Sequence, residues 1–531
     1  MQISEKFNDL FQSAKNNYYF NFRRVILTLG ILVLFIPLFT WAYFSTVPSE
    51  DAVILFEYSR NLVERGLITY GGSPKPIEGA TDFLWMLLIS ILNIFGFDEF
   101  AAALMLSFFG IVVSILVFRR GKERILLGIA ILVTPFLYAS LSGFSTIFFV
   151  SIYLVALNLL ASEGKSIYLV LLILCLVRPD GVIWGGGVVL LRILNACKTK
   201  TVRTEAKNLF YFLILPGLVY FLWRLQYFSE ILPLPFLVKS GQLRDFGPFY
   251  YLSVKTVMYI FIPLFLLLMI FARRFTEVKE FGILFFPPIL FYSALVLEQN
   301  VGYRFMGPLF FGTMFYLQKQ YGFKAFITVV LISVPLLFRS TFWTTVNMID
   351  SKVETVPHLS MDLSSLKGRM LVTEAGRLTF NSRWKSEDSW GLNSPKYTKE
   401  MIRVKDIKPN SYDLVVAHCE LELLDMKTIG FLSTNRSWTN QCKVLVTAIN
   451  KNGYKVYLVP YYQELSLRER IRFLSSGSQS DLNEFSKCRR YDIYAISSLY
   501  ENSEQLIRII KKYNALEFNS ELVLSKDSVC I

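Results

Sequence analysis

Apolar residues run in stretches of about 20 from Val25 to near residue 340, separated by short polar loops, and a mostly polar remainder follows. Stretches of that length with almost no charge predict membrane-crossing helices. The pattern places spans at Val25–Phe44, Phe100–Phe118, 125–141, 143–161, 167–177, 182–195, 208–227, 253–271, 281–297, 304–318 and 324–339, about eleven in all. The boundary between 167–177 and 182–195 is weakly defined, because the pair is short for two crossings. Phe83–Phe95 is apolar but too short to cross, which predicts an interfacial or re-entrant helix on the outer surface.

Beyond residue 340 the pattern changes. Asp413–Ala417 and Lys443–Ala448 read as short strands, and Leu499–Tyr513 has helical spacing. The expected fold is an α-helical polytopic membrane domain over 1–340 and a C-terminal α/β extracytoplasmic domain over 341–531. Between the first two spans, 45–98 forms a long first external loop.

Charge sets the orientation. Lys6, Lys15, Arg23 and Arg24 precede the first span, and Arg119, Arg120, Lys122 and Arg124 follow the second. Lys198, Lys200, Arg203 and Lys207 lie in a later loop of the same side. Positive residues collect in cytoplasmic loops, so the N-terminus is expected inside and the C-terminal domain outside. The net charge of +14 therefore reflects topology and not a nucleic-acid surface. Only two histidines are present, and no Cys-x-x-Cys pair occurs, which argues against a Cys/His zinc site. Cys419, Cys442, Cys488 and Cys530 permit disulfides in an exported domain, but spacing leaves their pairing open. Asn435–Ser437 matches a glycosylation sequon, a short and common pattern.

Candidate chemistry gathers on the outer face. Glu50 and Asp51 open a helix that should run to Glu64 and stop at Gly66. Acidic residues there also suit the positive end of a helix dipole, so a purely structural start fits the same residues. A carboxylate at the membrane–water boundary can alternatively serve as a general base. Cations on the same face could hold a departing phosphate: Arg178 before Asp180, Lys239 after the Leu232–Pro235 loop, and Arg304. Arg178 could equally pair with Asp180, and Lys239 could be a solvated loop residue. Arg304 opens a span on the outer side, against the usual charge bias.

These segments resemble, in order along the chain, the GT-C superfamily of polyprenyl-phosphate-sugar glycosyltransferases. The nearest branch is the one containing the bacterial terminal arabinofuranosyltransferases. The resemblance is carried by Glu50-Asp51-Ala52-Val53-Ile54 with Arg60-Asn61-Leu62, by Glu78-Gly79-Ala80-Thr81 with Leu84-Trp85, and by Arg178-Pro179-Asp180-Gly181. Leu232 to Lys239, Arg304 to Pro308 and Gly391-Leu392-Asn393 continue it. It implies a GT-C fold in a bacterial inner membrane with the C-terminal domain in the periplasm. It further implies inverting transfer of a sugar from a polyprenyl-phosphate donor to a glycan, lipid or protein acceptor. Asp51, with Glu50, would be catalytic, and Arg304, Lys239 and Arg178 would bind the donor phosphate. Glu78, Asp82, Arg60 and Tyr303 would orient the acceptor or a divalent cation, whose involvement stays open. Glu57 stands where relatives often carry Arg, and Ser145 where they carry Glu. A membrane transporter or lipid flippase is the rival reading, although such proteins place their charges near the bilayer midplane.

Overall fold

The structure, a computed structural model, describes residues 25–118, 120–160, 164–240, 247–272, 274–295, 301–337, 356–408, 411–423, 428–431, 436–460, 490–518 and 523–525. Among the described residues each expected span contains helix, though several helices are shorter than a bilayer crossing requires. Among the described residues five helices are long and apolar enough to cross alone: Val25–Ser45, Glu99–Val117, Gly181–Thr199, Val202–Phe228 and Ser253–Phe271. Gly121–Leu132 and Pro135–Leu141 add a sixth as one span bent by 69°. Pro135 begins the second piece, where the missing N–H and fixed φ of proline suit a helix start. Thr146–Leu159 and Ser166–Val177 have only 14 and 12 residues, which lowers the count from the expected eleven when length is the criterion.

The acidic segment folds as predicted. Its helix runs from Glu50 to Arg65, and Gly66 ends it with φ of 65°. Glycine adopts that left-handed conformation without the Cβ clash that other residues meet. Phe83–Ile94 is a 12-residue helix that buries Trp85, Met86 and Ile89. Ile94 and Phe95 at its end stay exposed, as suits a helix lying at the interface rather than crossing.

The C-terminal part is a sheet with helices on both faces. Strands β1 (Arg369–Val372), β2 (Lys385–Asp388), β3 (Leu414–Leu423), β4 (Thr428–Phe431), β5 (Lys455–Pro460), β6 (Arg490–Ile496), β7 (Leu516–Phe518) and β8 (Val523–Ser525) form it. The order is β2-β1-β3-β6-β5-β7, and β4 joins β3 to β8. β1 is parallel to β2 and β3, while β3–β6–β5–β7 are mutually antiparallel. Alternation along β1 and β3 sorts their side chains. Met370, Val372, Leu414 and Val416 pack on helices Val356–Leu363 and Ser503–Lys511, and Leu371, Val415 and Ala417 face helix Arg436–Lys451.

Lys443–Ala448 is therefore not a strand. It lies inside Arg436–Lys451, where Cys442, Leu445, Val446 and Ile449 are buried at helical spacing. The local β-branched preference lost to that amphipathic period, because the sheet offers a face for it to cover. Cys442 of this helix bonds Cys419 of β3, with Cα atoms 5.9 Å apart. Cys488, Cys530 and Asn435 lie outside the described residues.

Candidate active site

A cavity of about 470 Å³ opens between the loop at 45–98, the ends of the apolar helices and the C-terminal domain. Asp51, Asp82, Arg178, Lys239 and Arg304 line it, as do Leu392 and Asn393. Arg304 Nη2 donates to Asp51 Oδ2 at 3.0 Å across 253 positions of chain. The two residues that sequence placed merely on one face of the membrane are thus in direct contact.

Local backbone aims Arg304 at this point. Gly302 and Tyr303 both have positive φ, 57° and 55°. A Cβ on Gly302 would lie 2.6 Å from the Pro135 carbonyl, so the turn needs glycine there. Tyr303 holds the same conformation with a side chain, a strain that persists where surrounding packing fixes it. Its ring is buried. Tyr303 therefore sets the turn and is not among the residues lining the cavity. The Arg304 guanidinium lies over the rings of Phe144 and Phe305, 3.9 Å and 4.9 Å from their centres. Its Nε is buried with no hydrogen-bond partner among the described residues. A buried donor without a partner is costly unless a ligand supplies the acceptor.

Arg178 takes both readings allowed from sequence. It lines the cavity and also binds Asp180 through Nε and Nη2, at 2.9 Å and 2.7 Å. The Tyr292 hydroxyl donates to Asp180 in turn, and Trp184 Nε1 donates to that hydroxyl at 3.1 Å. Lys239 is exposed and makes no ion pair among the described residues. Asp82 accepts from Ser145 Oγ at 3.0 Å. Burial holds the Asp82 carboxyl above its usual range against the pull of Arg178 and Arg304. A serine at 145 places a hydroxyl, not a carboxylate, against Asp82.

Three expected site residues have other partners. Glu78 is clamped by Arg224, which donates to both its oxygens and from Nη1 to the Ile231 carbonyl at 2.7 Å. Glu78 thus ties the first loop to helix Val202–Phe228 and does not line the cavity. Arg60 pairs with Glu57 and lies over Phe380, 4.1 Å from the ring centre. The buried Glu57 also accepts from Asn61 Nδ2 at 2.9 Å. Glu50 turns away from the cavity. Its Oε1 accepts from Gly376 N–H at 2.5 Å and its Oε2 from Arg377 N–H at 3.0 Å.

Sequence gave no hint of this latch. A Cβ on Gly376 would fall 2.1 Å from the Glu50 carbonyl, so only glycine permits the approach. Around it, Arg377 Nε donates to Pro48 O at 2.8 Å, and Tyr70 Oη donates to Ala375 O at 2.7 Å. Tyr58 Oη donates to Asn393 Oδ1 at 3.1 Å and accepts from Gly79 N–H at 2.9 Å. The buried Asp388 accepts from Asn393 N–H and Nδ2, fixing this side chain at the cavity wall.

Glu374 lies beside the latch. Burial raises its carboxyl well above the ordinary 4.5, and although His418 opposes this, Glu50, Asp51 and Asp492 add to it. A carboxyl that favours its proton in the fold stabilises the fold fully below its ordinary value. That contribution is lost as pH climbs through the raised value. Thermal midpoints are therefore expected to fall as pH rises above the ordinary carboxylate range, and Glu374→Gln should flatten the slope. An unchanged slope in the variant would assign the effect elsewhere.

Among the described residues, no group of three or more His, Cys, Asp or Glu side chains is placed to hold a metal ion. No family model matches the chain. No curated protein matches it either. Among solved structures, it is similar to ArnT from Cupriavidus metallidurans in the apo state, with a TM-score of 0.48 and 13% identity over 73% of this chain and 93% of that one. The same protein bound to undecaprenyl phosphate matches with a TM-score of 0.45 and 14% identity over the same shares.

Proposed function

We propose that the chain is an integral membrane glycosyltransferase of the GT-C type, moving a sugar from a polyprenyl-phosphate donor to an acceptor at the outer face of the membrane. The observation that carries this reading is the Asp51–Arg304 contact inside a cavity that also holds Arg178, Lys239 and Asp82. One carboxylate able to take a proton faces cations able to take a phosphate.

In this scheme the donor phosphate docks on Arg304, whose free Nε supplies a donor, with Lys239 beside it. Asp51 takes the proton of the acceptor hydroxyl. The hydroxyl oxygen bonds to the anomeric carbon from the face opposite the phosphate. The carbon–oxygen bond to phosphate breaks, its electron pair leaves with the polyprenyl phosphate, and the anomeric configuration inverts. Arg304 stabilises the charge that develops on the leaving oxygen. Glu50 positions the helix through its latch and does not touch substrate. An outer location agrees with the Cys419–Cys442 disulfide, since such bonds persist in oxidising compartments.

The test is transfer by purified protein in lipid nanodiscs from a panel of polyprenyl-phosphate sugars, with and without chelator, with the product anomer read by NMR. Transfer with inversion supports the proposal. Movement of the lipid between leaflets without any transfer would favour a flippase instead. Arg304→Lys keeps the charge but loses the fork. It is expected to weaken polyprenyl phosphate binding by about 2 kcal/mol, roughly 30-fold in Kd. Titration calorimetry in nanodiscs would show this, and an unchanged Kd would remove Arg304 from the donor site.

A further inference from the structure

A second concavity, of about 320 Å³, lies where the loop at Tyr70–Ile77 meets the edge strand β2. The backbone joins its two sides, Ser386 N–H donating to the Gly71 carbonyl at 3.0 Å. Three exposed cations line it: Arg369, Lys385 and Lys396. A single carboxylate, Glu387, faces them, 4.0 Å from Arg369 and 3.3 Å from Lys396. The Tyr412 hydroxyl also donates to Glu387 at 2.6 Å. Lys385 makes no ion pair among the described residues. The Arg65 guanidinium adds a fourth cation at the rim, beside Gly72. The groove thus carries an excess of positive charge in a concave setting, which attracts anions.

Its position gives that charge a use. Asn393 lines this groove and also the cavity that holds Asp51. Tyr58 and Asp388 hold the buried side chain in place, so one fixed residue forms a wall shared by the two spaces. The donor cavity is lined chiefly by apolar residues, whereas the groove is edged by the exposed cations and Glu387. A lipid-linked donor suits the first and a hydrated ligand suits the second.

We propose that this groove is the acceptor subsite and that it binds an anionic acceptor, one whose sugars carry phosphate or carboxylate groups. This rests on the glycosyltransferase reading above. The anionic unit would dock on Lys385, Lys396 and Arg369, with the hydroxyl to be glycosylated directed toward the cavity that holds Asp51.

Full-length protein in zwitterionic nanodiscs would be titrated with tetragalacturonate, mannose phosphate and neutral maltotetraose, and with vesicles containing phosphatidylinositol phosphate. The anionic probes are expected to bind with a Kd that weakens as salt is raised. Lys385→Glu with Lys396→Glu should weaken them roughly tenfold or more, while polyprenyl phosphate binds as before. Binding of the soluble probes identifies a free glycan as the acceptor source, and binding of the vesicles alone identifies a lipid headgroup. Either supports the groove. Equal affinity for maltotetraose, or an unchanged Kd in the double variant, would overturn it. That failure leaves the transferase reading intact, because transfer blocked by Asp51→Asn is scored separately on any acceptor. Wild-type transfer by Asp51→Asn would instead overturn the reading on which the groove depends.

Discussion

Asp51→Asn is expected to lower the rate of sugar transfer by about 10²- to 10⁴-fold, the usual contribution of a positioned general base. The amide keeps the size of the carboxylate and can still accept from Arg304, which lies 3.0 Å away in the native protein. Folding and polyprenyl phosphate binding should therefore be nearly unchanged, and the loss should fall on kcat rather than on the donor Kd. A parallel Glu50→Gln variant separates the two neighbours. It retains the acceptor oxygen for one of the two amides at Gly376 and Arg377, so its effect should be on stability, with transfer reduced far less. Equal losses of kcat in both variants would mean that the pair acts as one catalytic unit, contrary to the division of roles drawn from the geometry.

The largest effect on folding is expected from Arg224→Ala. Arg224 and Glu78 are both nearly fully buried, and each is the other's charge partner. Removing one member of such a pair strands the other, at a cost of about 3–5 kcal/mol. The buried Glu78 carboxyl, already above its usual range through burial, would lose the guanidinium that opposes that shift. The consequence reaches the site, because Leu234 N–H donates to the Glu78 carbonyl at 3.1 Å and Leu234 begins the short helix that carries Lys239. Folded yield and thermal midpoint in detergent would measure the loss. The double variant Arg224→Met, Glu78→Leu should recover most of it, since an apolar pair of similar volume leaves no unpaired charge. Failure of the double variant to recover would show that shape, and not charge, is what the pair supplies.

What could be read along the chain was local. The helix at Glu50–Arg65 was legible because acids mark its start and Gly66 its stop. Arg178 and Asp180 stand two residues apart, and their pairing could be foreseen as one of two possibilities. That Phe83–Ile94 forms a helix too short to cross a bilayer was legible from its length alone. Contacts between distant parts were not legible. Nothing near Glu78 announces Arg224, 146 positions away, so a buried structural acid looked like a site residue. Glu50 looked like a partner of Asp51 because the two are adjacent. Successive helical residues diverge by about 100°, however, and one faces the cavity while the other meets the C-terminal domain. The error at Lys443–Ala448 has a similar origin, since a β-branched run shows its helical period only when the buried positions on both sides are known.

The Glu50–Gly376 hydrogen bond spans 326 positions of sequence. Ribosomes make the helix of Asp51 early and its clamp late. Asp51 would thus emerge on the far side of the membrane long before the segment that steadies its helix has been translated. A nascent or truncated chain ending before Gly376 would hold Arg178, Lys239 and Arg304, the proposed donor-binding cations, but would lack the contact that fixes the proposed base. Competence would then arise only once the whole chain has been delivered across the bilayer, so that a half-made molecule could bind lipid-linked sugar without spending it.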